Sequence, residues 1–148
     1  MRIIFLLSFC VLSFFSCSIP DAQKQKNNWQ ALLSEADEII NHTQEDTLFV
    51  LPITSCASCL NYYAKALDNY SSSSQLSILT VANSKKSAQA FFYSYDSKIR
   101  LFILTFNQLE LQGINIHQPL IIFLSKQKKI TQIVSIEYDD LEKYFDAK

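Results

Sequence analysis

Thr47-Leu48-Phe49-Val50-Leu51 is a continuous apolar run, and it leads through Pro52-Ile53-Thr54-Ser55 into Cys56-Ala57-Ser58-Cys59. Four consecutive apolar residues after a threonine, without polar alternation, fit a strand buried on both faces, the kind that lies inside a sheet covered by helices. Leu60, Tyr63, Ala64 and Leu67 then fall on one helical stripe, so the two cysteines sit where that helix begins. The chain around this feature must therefore build helical layers over a central sheet.

The remaining pattern agrees. Trp29, Leu32, Leu33, Ala36, Ile39 and Ile40 predict a helix from about Asn28 to Asn41, with Trp29 in the core. Leu76–Ala82 reads as a strand, and Ser84 is placed to cap a helix carrying Ala88, Phe91, Phe92 and Tyr95. Ile99–Phe106 is β-prone, and Asn107–Leu111 fits a single helical turn ended by Gly113, the only glycine. Pro119–Leu124 and Ile130–Ile136 read as strands joined by the polar turn Lys126–Lys129. Glu137–Asp146 closes as a helix with Leu141, Tyr144 and Phe145 inward. Alternation followed by a hairpin gives an α/β class with a mixed sheet.

A length of 148 residues suits one domain; 49% hydrophobic and 18% charged residues fit a folded chain. A net charge of −1 offers no basic face, so no nucleic-acid partner is expected. The sequence has no phosphate-binding glycine loop, no Ser-His-Asp order and no HExxH motif.

Residues 1–16 read as an export signal. Met1-Arg2 precedes an apolar run from Ile3 to Phe15, shorter than the roughly 20 residues that span a bilayer; an uncleaved anchor is the alternative. Phe14-Phe15-Ser16-Cys17 resembles the lipobox of bacterial lipoproteins, although that motif usually has Leu at the position of Phe14 and a smaller residue at Phe15. The resemblance implies cleavage before Cys17 and lipid on its sulfur, which holds a protein to a membrane. Residues 17–27 then read as a lipidated polar tether and 28–148 as the folded domain. The expected location is a bacterial cell envelope, facing the periplasm or the exterior.

Cys56 and Cys59 carry the chemistry. The thiolate is the reactive form of cysteine, and a helix N-terminus offers partial positive charge and unpaired N–H donors. That makes Cys56 the attacking nucleophile and puts Cys59, one turn on, in reach of a mixed disulfide formed there. A permanent structural disulfide is an alternative in an oxidising envelope, although a bridge closing so small a loop adds little chain-entropy stabilisation. Zinc needs two more ligands, and His42 and His117 are far apart and without knuckle spacing, so no metal and no cofactor is expected.

A strand, Cys-x-x-Cys and helix in this order resemble the thioredoxin superfamily, and the stretch Gly113–Leu124 is similar to the family's segment around its cis-proline. The match covers roughly Asp46 to the C-terminus, and within the superfamily the chain resembles exported, TlpA-like lipoproteins. The resemblance implies a thioredoxin-like fold, a central mixed sheet flanked by helices, and a cis bond before Pro119. It also implies that Pro119 lies against the cysteine pair and that Gln118 touches the substrate. The activity implied is thiol–disulfide exchange on exported proteins, with a membrane-bound thiol reductant or oxidant as redox partner. Several positions depart from the family: Ser55 replaces the usual Trp before the first cysteine, Ala57-Ser58 replaces Gly-Pro, Val50 stands where a buried acid is usual, and Leu60 replaces a base. These departures favour the other reading, a non-catalytic binding or assembly lipoprotein with a structural Cys56–Cys59 bridge. A peroxidase would want a Thr where Ile53 stands, with Arg100 the one candidate arginine.

Other residues read as structural. His117 suits a loop, His42 a helix end, Asp139-Asp140 a helix start, and the lysines at 126, 128 and 129 a solvated turn. Tyr63 belongs to the core stripe, while Tyr62 is free to flank the cysteines.

Overall fold

A computed structural model of the chain describes residues 21–42, 46–54, 56–70, 76–95 and 97–146. Helices α1 (Asp21–Glu35) and α2 (Asp37–His42) precede strand β1 (Thr47–Ile53), followed by α3 (Ala57–Asn69), β2 (Leu76–Ala82) and α4 (Lys85–Phe92). Then come β3 (Ile99–Thr105), α5 (Phe106–Leu111), β4 (Leu120–Leu124), β5 (Ile130–Ser135) and α6 (Leu141–Asp146); short 3-10 turns lie at Tyr93–Tyr95 and Tyr138–Asp140.

The strands form one five-stranded mixed sheet in the order β3-β2-β1-β4-β5. β1 pairs parallel with β2 from Phe49↔Ile78 to Ile53↔Ala82, and β2 pairs parallel with β3 from Leu76↔Ile99 to Ala82↔Thr105. Parallel neighbours need crossovers, which α3 and α4 provide. β4 runs antiparallel to β1, from Thr47↔Phe123 to Val50↔Leu120, and β5 returns antiparallel along β4.

Alternation along β1 divides the core in two. Leu48 and Val50 point to one face, packed with Trp29, Leu32 and Leu33 of α1, Ile39 and Ile40 of α2, and Leu109 of α5. Phe49, Leu51 and Ile53 point to the other, under Tyr63, Ala66 and Leu67 of α3, Ala88 and Phe92 of α4, and Leu141 and Phe145 of α6. A strand covered on both faces explains why β1 is apolar throughout.

Four local expectations are corrected. α1 starts at Asp21 rather than Asn28, so 21–27 is helix rather than polar coil; Gln23 donates to Asn27 four residues on at 2.9 Å, and Lys26 reaches the carbonyl of Thr131 at 3.1 Å. The first helix also breaks at Ala36, giving two helices where the stripe predicts one. β1 runs through Pro52, read from sequence as the start of a turn. The β4 ladder ends at Val50, so Pro52 has a strand neighbour on the β2 side only, and a proline that cannot donate is tolerated there. Tyr144 is 39% exposed rather than inward, because the six-residue α6 buries one stripe and Leu141 and Phe145 occupy it.

Other readings hold. Ser84 caps α4, its hydroxyl accepting from the Ser87 N–H at 3.3 Å, and Gly113 takes φ 65° just after α5. Thr105 and Gln108 form a reciprocal capping box at α5, a signal the sequence carries in its Thr-x-x-Gln spacing. Among the described residues no helix is long and apolar enough to cross a membrane. The expected export signal and lipidation site, residues 1–16 and Cys17, lie outside the described residues.

Candidate active site

β1 delivers the chain to the end of the sheet, and α3 begins four residues past it, at Ala57. Cys56 is the N-cap of α3, with extended backbone (φ −74°, ψ 104°) and a sulfur that accepts from the Cys59 N–H at 3.4 Å. An N-cap side chain normally supplies an oxygen to one of the orphan N–H groups of the first turn; here a sulfur does so. The hydroxyl of Ser58 lies 3.1 Å from the same sulfur, and the Cys56 N–H donates to the Thr54 hydroxyl at 3.4 Å. Cys56 and Cys59 are disulfide-bonded, with Cα atoms 5.4 Å apart, and both are half-buried. An N–H, a hydroxyl and the positive end of α3 all face the Cys56 sulfur, so the site favours negative charge on that atom when the bridge opens.

No carboxylate lies beneath the pair at the Val50 position: Val50 is 0% exposed, and the buried polar side chains among the described residues are Ser77 and Thr80. The Thr80 hydroxyl is used up on the Leu51 carbonyl at 3.1 Å. Among the described residues no group of three or more His, Cys, Asp or Glu gathers to hold a metal ion.

Beyond the cysteines, Ser58, Asn61, Tyr62 and Lys65 line a cavity of about 280 Å³ on the outer side of α3. Tyr62 is 42% exposed on that wall. Lys65 is tied to Glu142 of α6 at 2.8 Å, and Asn69 donates to the same carboxylate. The Lys65 ammonium holds the Glu142 carboxyl below the usual carboxylate range.

Leu120 pairs with Val50, so Gln118 and Pro119, just before it, lie at the end of the sheet from which β1 runs on toward Cys56. Pro119 is buried and Gln118 half-buried. The bond between them is trans, as is every described peptide bond, which corrects the cis bond implied by the resemblance; trans is the lower-energy form of an X–Pro bond. Among the described residues no hydrogen bond joins Gln118 to either cysteine. His117 is exposed, and its carbonyl accepts from the Tyr138 hydroxyl at 3.1 Å.

A mixed sheet in this order, with a Cys-x-x-Cys pair capping the helix after its central strand and a proline opening β4, decides the fold. It is thioredoxin-like. No family model matches the chain, and no curated protein matches it. Solved structures do resemble this thioredoxin-like domain. One is the pneumococcal exposed lipoprotein thioredoxin Etrx1 of Streptococcus pneumoniae, at 17% identity and TM-score 0.43, covering 74% of this chain and 90% of that one. Another is a secreted Mycobacterium tuberculosis disulfide oxidoreductase homologous to DsbE of E. coli, at 13% identity and TM-score 0.46, covering 70% and 82%. A third is a thiol:disulfide interchange protein from Bacteroides sp., at 14% identity and TM-score 0.47, covering 75% of each chain. The fold assignment rests on this chain's own strand order and directions.

Proposed function

We propose that the chain is a thiol–disulfide oxidoreductase acting on exported proteins through Cys56 and Cys59. The observation that carries this reading is the half-buried sulfur of Cys56 at the N-cap of α3, faced by the Cys59 N–H and the Ser58 hydroxyl. With the pair reduced, the Cys56 thiolate attacks one sulfur of a substrate disulfide. A mixed disulfide forms and the substrate's other sulfur leaves as thiolate, taking up a proton from water. Cys59, as thiolate, then attacks the Cys56 sulfur, which closes the Cys56–Cys59 bridge and releases the second substrate thiol. Two electrons pass from the protein to the substrate, and a membrane-bound thiol donor returns them. Run backwards with a membrane-bound oxidant, the same steps oxidise substrate.

The wider setting we propose, supported by the sequence pattern of residues 1–17, is an export signal in residues 1–16, lipid on Cys17 and a position on a bacterial envelope membrane. Gln118 and Pro119, at the same end of the sheet, are the residues to meet the substrate backbone.

The structural-bridge reading draws on the absence of an acid under the pair at Val50. The reduction potential separates the two readings. It is measured on the protein from Ser18 onward by thiol-alkylation gel shift across glutathione ratios. Exchange predicts a midpoint between roughly −270 and −120 mV, whereas a bridge still closed below roughly −300 mV behaves as structural and overturns the proposal.

A further inference from the structure

Tyr138 touches both halves of the site. It stands in the 3-10 turn between β5 and α6, half-buried, with its ring 5.7 Å from that of Tyr63 and 6.3 Å from that of Tyr62. Both partners lie on α3, within the turn that follows Cys59. The other end of Tyr138 faces the segment before β4: its hydroxyl donates to the His117 carbonyl at 3.1 Å.

The segment from His117 to Pro119 is neither helix nor strand, so its carbonyls need partners from elsewhere. It has two. The Ile136 N–H donates to the Pro119 carbonyl at 2.8 Å, and Tyr138 supplies the other bond, at His117. Gln118 is thus held between two fixed carbonyls, both set by the stretch that joins β5 to α6. The Tyr63 hydroxyl does the matching job on the other side, donating to the Pro52 carbonyl at 2.9 Å, four residues before Cys56. Two neighbouring phenols, their rings tilted by 34°, therefore pin the two main-chain segments that flank the cysteines, one before α3 and one before β4.

We infer that Tyr138 is a positioning residue: its bond to the His117 carbonyl fixes the Gln118–Pro119 backbone relative to the cysteine helix, so that a polypeptide in exchange with Cys56 meets a preset edge. The inference rests on the exchange activity proposed above. It separates polypeptide substrates, which need that edge, from small disulfides, which need only the Cys56 sulfur. The phenol ring is not what matters here. Its packing on Tyr62 and Tyr63 survives in Tyr138→Phe, and only the tie to His117 is lost.

The test compares wild type with Tyr138→Phe and Tyr138→Leu, on a disulfide-bonded unfolded polypeptide (insulin) and on the small disulfide of Ellman's reagent. In Tyr138→Phe the KM for the polypeptide should rise by roughly three- to tenfold, the loss expected for one hydrogen bond, with kcat unchanged. The rate with the small disulfide and the reduction potential should stay at wild-type values. Amide hydrogen exchange at Gln118 should accelerate in Tyr138→Phe while that of β1 does not. An unchanged polypeptide KM together with unchanged exchange at Gln118 overturns the inference, and so does an equal loss on both substrates. Tyr138→Leu, which keeps neither hydroxyl nor ring, must show at least the same polypeptide defect; a wild-type KM there also overturns it. A wild-type protein inactive on both substrates overturns the exchange reading itself, whereas the amide exchange at Gln118 still reports on the tie.

Discussion

The main-chain N–H of Cys59 points at the sulfur of Cys56 across 3.4 Å, although the two side chains are joined by a disulfide, so once the bridge opens the second cysteine's backbone is in place to support charge on the first. On the exchange reading proposed above the two sulfurs have unequal roles, and those roles are separable by substitution.

Replacing Cys59 with Ser leaves Cys56 able to attack but removes the group that resolves the intermediate. Mixed disulfides through Cys56 should then accumulate and be visible on non-reducing gels. Cys56→Ser should abolish exchange and trap nothing of the kind. Equal trapping by the two variants would reverse or erase the assignment of attacking and resolving sulfur.

Ser58 is the only side chain between the cysteines with a polar atom, and its hydroxyl lies 3.1 Å from the Cys56 sulfur. Ser58→Ala removes that bond and leaves the N–H of Cys59 in place. A neutral hydrogen bond contributes about 0.5–1.5 kcal/mol, so the alkylation rate of reduced Cys56 at neutral pH should fall by roughly two- to tenfold. Iodoacetamide kinetics on the Cys59→Ser background measure it; an unchanged rate means the hydroxyl plays no part.

Much of this architecture is legible in the sequence for a simple reason. The runs at Thr47–Leu51 and Leu76–Ala82 are apolar because helices cover both faces of β1 and β2, and burial on two sides leaves a stronger mark than burial on one. The cysteine pair is legible for a similar reason, since two cysteines after a buried strand and before a helical stripe can only stand at the helix start. Other features leave no periodic trace. The polar first turns of α1 are held by Gln23–Asn27 and by Lys26 on Thr131, a partner 105 residues away. Pro52 reads as a breaker unless one knows that the β4 ladder stops short of it. Tyr138 carries no motif at all, because its importance comes from His117 and Tyr63, both distant in sequence.

Tyr63 should give the fold a measurable alkaline limit. Burial, and then the neighbouring Tyr138 hydroxyl, hold its phenol well above the ordinary value of 10.0. The folded state therefore keeps this proton where the unfolded chain releases it. Stability from Tyr63 is complete below pH 10 and declines as pH rises beyond it, by up to about 1.4 kcal/mol per pH unit. Urea titrations at pH 9, 10 and 11 should reveal the decline, and Tyr63→Phe should flatten it while lowering stability at neutral pH by about 1 kcal/mol through the lost bond to Pro52. An identical slope in the variant assigns the alkaline limit elsewhere.

Gly113→Ala tests the turn that feeds the Gln118 segment. At φ 65° an L residue is strained, and the added methyl would meet the Asn28 amide at 3.4 Å. A cost of about 1–2 kcal/mol follows, which lowers the melting temperature by roughly 3–8 °C for a domain this size. An unshifted melting curve would mean that the turn relaxes into another conformation without penalty.

The early start of α1 has a consequence for how the domain meets a lipid surface. If lipid is on Cys17, three residues separate it from Asp21, and even fully extended the four steps between them reach no more than about 14 Å. Lys26 fastens the same helix to β5, so α1 moves with the body. A domain on so short a leash cannot sweep the space above the bilayer. On that reading it would work at nearly constant height, and the substrates proposed above would have to come to it along the surface.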